Sequence, residues 1–277
     1  MSHATINDFS RPPRIAASSY LNTAPLIWSF QQGTRQRDVQ LITDTAPSRC
    51  AEMLLRGEVA AALVPVVEYQ RAFDLLIVPD VCVGARSNVR SVVLVTRGIE
   101  LKEVRSIALD TSSRTSAALV QVIFREFLNV KPKLVPRPPD LRGMLKECDA
   151  ALIIGDPAMI FSREEFFVYD LAGLWRARTG LGFVFAMWMT RAGYAAEAVR
   201  TIDFAGARDE GLQRVDEIVS LYARTLSLPP GELNSYLLEN ISFVLNAEMR
   251  AGLDLFYRLA LKHEIIPGAR PLRLIDL

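Results

Sequence analysis

Histidine and cysteine are scarce in this chain, and their scarcity excludes several kinds of site. Among 277 residues there are only two histidines, His3 and His263, and three cysteines, Cys50, Cys82 and Cys148. A metal site built on histidine or a Ser-His-Asp triad is therefore excluded unless His263 folds back onto the site. The cysteines are widely spaced and form no Cys-x-x-Cys pair, so we expect reduced, buried thiols.

The chain also lacks the sequence features of nucleotide, membrane and nucleic-acid binding. It has no Gly-x-Gly-x-x-Gly or Walker A pattern, so we expect no nucleotide cofactor. Because histidine is scarce and the cysteines are widely spaced, we expect no metal either. No apolar run approaches about 18 residues and residues 1–14 have no apolar signal-peptide core, which predicts a cytoplasmic protein without a membrane partner. A net charge of +1 gives no reason to expect nucleic acid. A small molecule is the predicted partner, and the oligomeric state does not follow from the sequence.

Short apolar runs alternate with helical patterns, which is typical of βαβ units. We predict strands at residues 14–17, 39–43, 60–64, 75–83, 90–96, 106–109, 134–136, 150–154 and 183–189, and helix over 209–227 and 230–263. This alternation predicts an α/β fold of two lobes. The first would comprise residues 1–97 and 190–277, and the second residues 98–189. Two crossings between lobes create a hinge and a cleft, where small ligands usually bind.

A polar turn at 111–116 follows a predicted strand and precedes a helix. Its residues are Thr111, Ser112, Ser113, Arg114, Thr115 and Ser116. A helix N-terminus offers free N–H groups and a positive dipole end, and five hydroxyls surround it here, whereas one hydroxyl suffices for a plain N-cap. We therefore predict that the turn binds a carboxylate. Arg114 either points to solvent or pairs with an acid of the other lobe.

Further polar residues follow other strands. Ser19 and Asn22 come after the first strand, and Asn22 either caps the next helix or points its amide into the cleft. Ser91 lies where the first lobe meets the second. Gly155 and Asp156 end a strand just before a proline, and Asp156 either caps the following helix or contacts the ligand.

Five motifs in order and spacing resemble one known family. They are SYLNTAPL at 19–26, TSSRTS at 111–116, IGD at 154–156, DLAGLW at 170–175 and TGLGFVFAMW at 179–188. Together they look like the chorismate dehydratases of the futalosine route to menaquinone. The resemblance covers roughly residues 14–190 and a helical tail of suitable length.

This resemblance implies a periplasmic-binding-protein-like fold (type II), with two α/β lobes and the ligand cleft between them. It implies loss of water from chorismate to give 3-[(1-carboxyvinyl)oxy]benzoate, without metal or organic cofactor. Asn22 and Ser91 align with the family's functional asparagine and serine. The general base is either the enolpyruvyl carboxylate of the substrate itself, which we favour, or Asp156.

Two alternatives remain at this point. One is a binding or sensory module of the same fold, which needs the cleft but no chemistry. The other is the sister enzyme of the pathway, which forms dihydroxynaphthoate from a futalosine-derived nucleoside product.

Overall fold

The computed structural model describes residues 12–276. His3 and the polar N-terminal segment predicted from the sequence lie outside the described residues. The strands are β1 (Arg14–Ser18), β2 (Gln40–Asp44), β3 (Ala61–Pro65), β4 (Leu75–Ala85), β5 (Val92–Thr96), β6 (Ser106–Asp110), β7 (Lys133–Arg137), β8 (Ala150–Ile154), β9 (Phe167–Asp170) and β10 (Phe183–Arg191).

The α-helices are α1 (Ala24–Gln31), α2 (Pro47–Leu55), α3 (Glu68–Arg71), α4 (Arg114–Val122), α5 (Leu141–Glu147), α6 (Leu171–Thr179), α7 (Tyr194–Val199), α8 (Phe204–Gln213), α9 (Val215–Leu226), α10 (Pro230–Ser235) and α11 (Ala247–Lys262). Short 3-10 helices span Leu21–Thr23, Leu101–Glu103 and Asp156–Ala158, and π-helical turns span Ile123–Phe127 and Tyr236–Asn240. No helix within residues 12–276 has both the length and the apolar character needed to cross a membrane.

The first sheet has the strand order β2-β1-β3-β10-β4. β1 runs parallel to β2 and β3, whereas β10 lies antiparallel between β3 and β4. Every residue of β3 is buried, as expected for a strand covered on both faces. Because β1 and β3 are parallel, the turns that follow them lie at the same edge of the sheet.

The second sheet has the strand order β7-β6-β8-β5-β9. β6 runs parallel to β7 and β8, and β5 lies antiparallel between β8 and β9. The polar turn before α4 follows β6, and the 3-10 helix Asp156–Ala158 follows β8. These two turns therefore also share one edge.

Two strands lie in the opposite sheet from the one predicted. β5 was assigned to the first lobe and β10 to the second, but their ladders place β5 in the second sheet and β10 in the first. Each time the chain crosses from one sheet to the other, the next strand inserts antiparallel into the sheet that it enters. The apolar pattern of such a strand does not indicate which of the two sheets it joins. We therefore propose that the lobes divide within residues 86–91 and 180–182.

The C-terminal part contains more breaks than predicted. The helix predicted over 209–227 is interrupted at Arg214 between α8 and α9. The helix predicted over 230–263 is interrupted by residues 241–246, where Ser242 pairs with Gly84 of β4. α8 packs on α1 and β4, and α11 packs on β10 and α4. The C-terminal helices thus return to the first lobe, and α11 also contacts the second.

Candidate active site

A cavity lies between the two lobes, beside the ends of β1 and β3 and the start of α4. Its empty volume, which includes space open to solvent, is about 520 Å³. It is lined by Ser18, Tyr20, Asn22, Thr23, Pro47, Leu63, Pro65, Val83, Val89, Val92, Thr115, Ser116, Phe185 and Ala186. Enclosed sites at the carboxyl ends of parallel strands are where α/β folds usually bind small ligands.

The turn after β1 brings Asn22 to this cavity. The hydroxyls of Ser18 and Thr23 are 2.7 Å apart and buried, and Thr23 also donates to the Asn22 Oδ1 at 3.3 Å. The N-cap of α1 is Thr23, and Asn22 makes no side-chain cap bond, so the capping interpretation of Asn22 is wrong. Ser19 faces away from the cavity, towards the groove that it shares with Tyr222.

Ser91 is fully buried just before β5, between the cavity-lining residues Val89 and Val92. Its N–H donates to the Val89 carbonyl at 2.7 Å, and its carbonyl accepts from the Gly155 N–H at 2.8 Å. Its hydroxyl accepts a hydrogen bond of 2.7 Å from the phenol of Tyr236. Ser91 is therefore held by two backbone hydrogen bonds and one side-chain hydrogen bond at the edge of the second sheet.

The carboxylate of Asp170 fixes the path of the chain into Ser91. It accepts the N–H groups of Val89 at 3.0 Å and Arg90 at 2.6 Å, and also that of Gly173 in the first turn of α6. Arg90 has a φ of 61°, a conformation that costs free energy for a residue with a side chain. The bonds from Asp170 compensate for this strain and so hold the crossover in place.

Only part of the polar turn at 111–116 reaches the cavity. Thr111 is exposed and is not among the residues that line the cavity, so a contribution of its hydroxyl to the site stays a prediction. Ser112 donates through its hydroxyl (2.6 Å) and its N–H (2.8 Å) to the buried carboxylate of Asp110. Ser113 is the N-cap residue of α4 without a side-chain cap bond, and Ser116 lines the cavity.

The remaining residues of this turn contact the first lobe. Arg114 forms ion pairs with Glu52 of α2 and with the buried Glu68 of α3, so it pairs with acids of the other lobe and does not point to solvent. The Thr115 hydroxyl accepts the Val67 N–H at 3.3 Å. Arg114 and Thr115 therefore connect the lobes beside the cavity.

Gly155 and Asp156 form another contact between the lobes. Gly155 has φ 65° and ψ −149°, and a Cβ atom there would lie 2.6 Å from the ring of Tyr20, so only glycine fits. Asp156 does not cap the helix that follows it. Its carboxylate accepts the Leu21 N–H at 2.9 Å and borders the groove that contains Ser19 and Tyr222.

Burial makes the Asp156 carboxyl a weaker acid than usual. Withdrawal from water raises its pKa to about 6, and the hydrogen bond from the Leu21 N–H offsets part of this effect. The group therefore titrates close to neutral pH. Through its hydrogen bond with the Leu21 N–H it supports the turn that carries Asn22.

Sequence reasoning missed three polar residues at the site. Tyr20 lines the cavity, and burial raises the pKa of its phenol to about 12. Burial also raises the pKa of Asp110, whose Oδ2 has no partner among residues 12–276. Tyr20 lies within the first motif and Asp110 directly precedes the second, so both were within reach of sequence reasoning. Tyr236 lies 145 residues from Ser91, in the helical tail, where nothing in the sequence marks it.

Other groups considered from the sequence lie elsewhere. His263 pairs with Glu126 on the surface, so it does not fold back onto the cavity. The three cysteines are free and buried. Trp175 and Trp188 belong to the core, as predicted for this aromatic segment, while Phe185 lines the cavity. Between residues 12 and 276, no cluster of three or more His, Cys, Asp or Glu side chains is arranged to hold a metal ion.

Residues 13–262 match the protein family described as Menaquinone biosynthesis. The chain belongs to this family. The chorismate dehydratase of Thermus thermophilus is 32% identical to it over 265 residues, which cover 89% of this chain and 94% of that relative. These similarities confirm the family resemblance carried by the five motifs and the prediction that the chain is an enzyme of menaquinone biosynthesis.

Solved structures confirm the fold of this family member. A protein of Archaeoglobus fulgidus has a TM-score of 0.74 at 16% identity, covering 93% of this chain and 100% of the other. The periplasmic aliphatic sulphonate binding protein of Escherichia coli has a TM-score of 0.61 at 17% identity, covering 96% and 94%. The periplasmic-binding-protein-like fold of two α/β lobes is thus as predicted. The roles of single residues are not tested by these similarities and stay predictions.

Proposed function

We propose that the protein is a chorismate dehydratase, which converts chorismate to 3-[(1-carboxyvinyl)oxy]benzoate and water for menaquinone biosynthesis. The observation that carries the proposal is the convergence of Asn22 and the start of α4 on one partly open cavity between the lobes. The relative from Thermus thermophilus, a chorismate dehydratase similar along nearly the whole chain, supports the same activity.

The lining of the cavity suits a compact ring that carries carboxylates. Val83, Val92 and Phe185 offer apolar surface for the ring. Thr115 and Ser116 present hydroxyls in the first turn of α4, where the free N–H groups and the helix dipole favour an anion. Among the described lining residues there is no lysine or arginine, so neutral donors would hold the carboxylate.

In the proposed reaction the enzyme positions the substrate and stabilises the departing group. The enolpyruvyl carboxylate takes the ring proton, and the electron pair of the broken C–H bond enters the ring as the neighbouring C–O bond breaks. The hydroxide that leaves combines with the proton as water, and the ring becomes aromatic. Asn22 would orient the carboxylate and Ser91 would donate a hydrogen bond to the departing oxygen.

Asp156 is the alternative base, and its surroundings argue for a supporting role. Its carboxylate is bonded to the Leu21 N–H and borders the neighbouring groove, while Asn22, the residue after Leu21, lines the cavity. A general base must reach the proton directly or through one water molecule. The substrate carboxylate meets that requirement without a protein base.

The sister enzyme of the pathway, which forms dihydroxynaphthoate, is the second candidate, because the matching family is described only as Menaquinone biosynthesis. Incubating the purified protein with chorismate and following the ultraviolet spectrum, with product identified by mass, separates the two. We expect an aromatic product with loss of one water. Unchanged chorismate would refute the dehydratase, and turnover of a futalosine-derived nucleoside product instead would indicate the sister enzyme.

We also propose a cytoplasmic location, which the free thiols support.

A further inference from the structure

Tyr236 is a buried polar side chain that the proposed reaction does not yet use. It is 1% exposed and begins the π-helical turn Tyr236–Asn240, directly after α10. Turns of this type are rare and occur often at functional sites, because they re-aim a side chain within a helix. Here the turn aims a phenol from the C-terminal helices at the start of β5.

The phenol of Tyr236 contacts Ser91, one of the two residues to which the resemblance gives a role. Its O–H donates to Ser91 Oγ at 2.7 Å. Burial raises the pKa of this phenol far above its usual range, so the proton stays in place and remains available for donation.

This contact decides what the hydroxyl of Ser91 can do. A serine hydroxyl has one hydrogen and two acceptor lone pairs. Since one lone pair receives the Tyr236 proton, the hydrogen of Ser91 has to point to another acceptor. Within residues 12–276 no second partner of this hydroxyl is found. A hydroxyl that accepts one hydrogen bond is also polarised to donate a stronger one.

We propose that Tyr236 is a positioning residue for the dehydration: its phenol orients Ser91 as a hydrogen-bond donor to the departing hydroxyl of the substrate. This inference rests on the proposed function. Tyr236 itself exchanges no proton and touches no reacting atom, and its effect passes through Ser91.

Tyr236→Phe tests the inference, because it removes the donor and keeps the ring. Misplacing a reacting group typically lowers the rate by about 10²-fold, so kcat for chorismate should fall by about that factor while KM changes less than about threefold. Tyr257→Phe is the matched control. Tyr257 is equally buried (2% exposed), and its phenol donates to the Val66 carbonyl at 2.7 Å, so this variant loses one similar bond with turnover close to wild type.

The double variant with Ser91→Ala shows whether Tyr236 acts through Ser91. Adding Tyr236→Phe to Ser91→Ala should cost less than about threefold, because the group to be oriented is already missing. All rates are measured well below the melting temperature of each variant, so that unfolded protein does not lower the measured rates. Wild-type kcat in Tyr236→Phe, or losses that multiply in the double variant, would overturn the inference. A wild-type protein that leaves chorismate unchanged would overturn the proposed function, and this inference with it.

Discussion

Replacing Asp156 by asparagine should stabilise the protein at neutral pH and leave most of its turnover. Burial raises the pKa of Asp156 from 3.8 to about 6, so the folded protein keeps this proton at pH values where the unfolded chain has lost it. The stabilisation of the folded state by this retained proton is fully present below about pH 4. It is lost as the pH rises from about 4 to about 6, and it does not change further above that range.

The pKa shift of Asp156 sets the size of the effect. About two units at about 1.4 kcal/mol each correspond to about 3 kcal/mol. Asparagine retains an oxygen that accepts the Leu21 N–H and carries no charge, so Asp156→Asn should escape this loss. At pH 8 the variant should be more stable by up to about 3 kcal/mol, or roughly 5 °C in melting temperature. At pH 4 the two proteins should be similar.

Urea unfolding of both proteins between pH 4 and 8 measures this difference. Asp149→Asn is a control of opposite sign. Asp149 loses hydration, but it accepts hydrogen bonds from Arg105 and Ser106 that together lower its pKa, so this variant should be less stable than wild type at pH 8. If Asp156→Asn shows no gain at pH 8, the reasoning from burial is refuted. If it folds but is inactive, the substrate does not supply the base.

The remaining predictions concern the cavity. Asn22→Ala and Ser91→Ala should each lower kcat by about 10²–10³-fold, the effect of removing one preorganised donor; unchanged kcat with a lower melting temperature would show a structural role. Ser116→Ala should weaken substrate binding by about 1–3 kcal/mol, whereas Thr111→Ala, at an exposed hydroxyl of the same turn, should not. Gly155→Ala should reduce stability and turnover together, because its Cβ would displace the ring of Tyr20; normal kinetics would contradict this packing. Activity should survive EDTA and dialysis, and loss with recovery on adding zinc or magnesium would refute the cofactor-free prediction.

Strand ends were the part of the site that the sequence could predict. β8 begins and ends at the residues predicted, and β1 and β6 differ by one residue. Since β6 and β8 are parallel neighbours, the turns that follow them share one edge of the second sheet, and the turn after β1 ends a parallel strand of the first sheet in the same way. Asn22 and Ser116 do line one cavity. Local pattern was sufficient here because the end of a strand and the polar turn that follows it are determined by nearby residues.

Contacts that depend on how distant segments pack could not be predicted. An apolar run such as β5 or β10 has the same pattern in either sheet, so its sheet depends on which neighbours it pairs with. Tyr236 has the sequence surroundings of an ordinary helical tyrosine, and its role follows only from the fold of the tail against Ser91. Thr111 shows the same limit. The sequence of a polar turn does not indicate which of its hydroxyls face solvent and which face the cavity.

The contacts between the lobes lie beside the cavity, which links closure to assembly of the site. Asp156 holds Leu21, next to Asn22, and the Thr115 hydroxyl, next to Ser116, accepts the N–H of Val67. If the lobes separate, these contacts break. The start of α4, which would bind the substrate carboxylate, then moves away from the Asn22 amide, which would orient it. A substrate that favours the closed arrangement therefore completes the site by binding. Part of its binding free energy then serves to position the donors before the hydroxyl leaves.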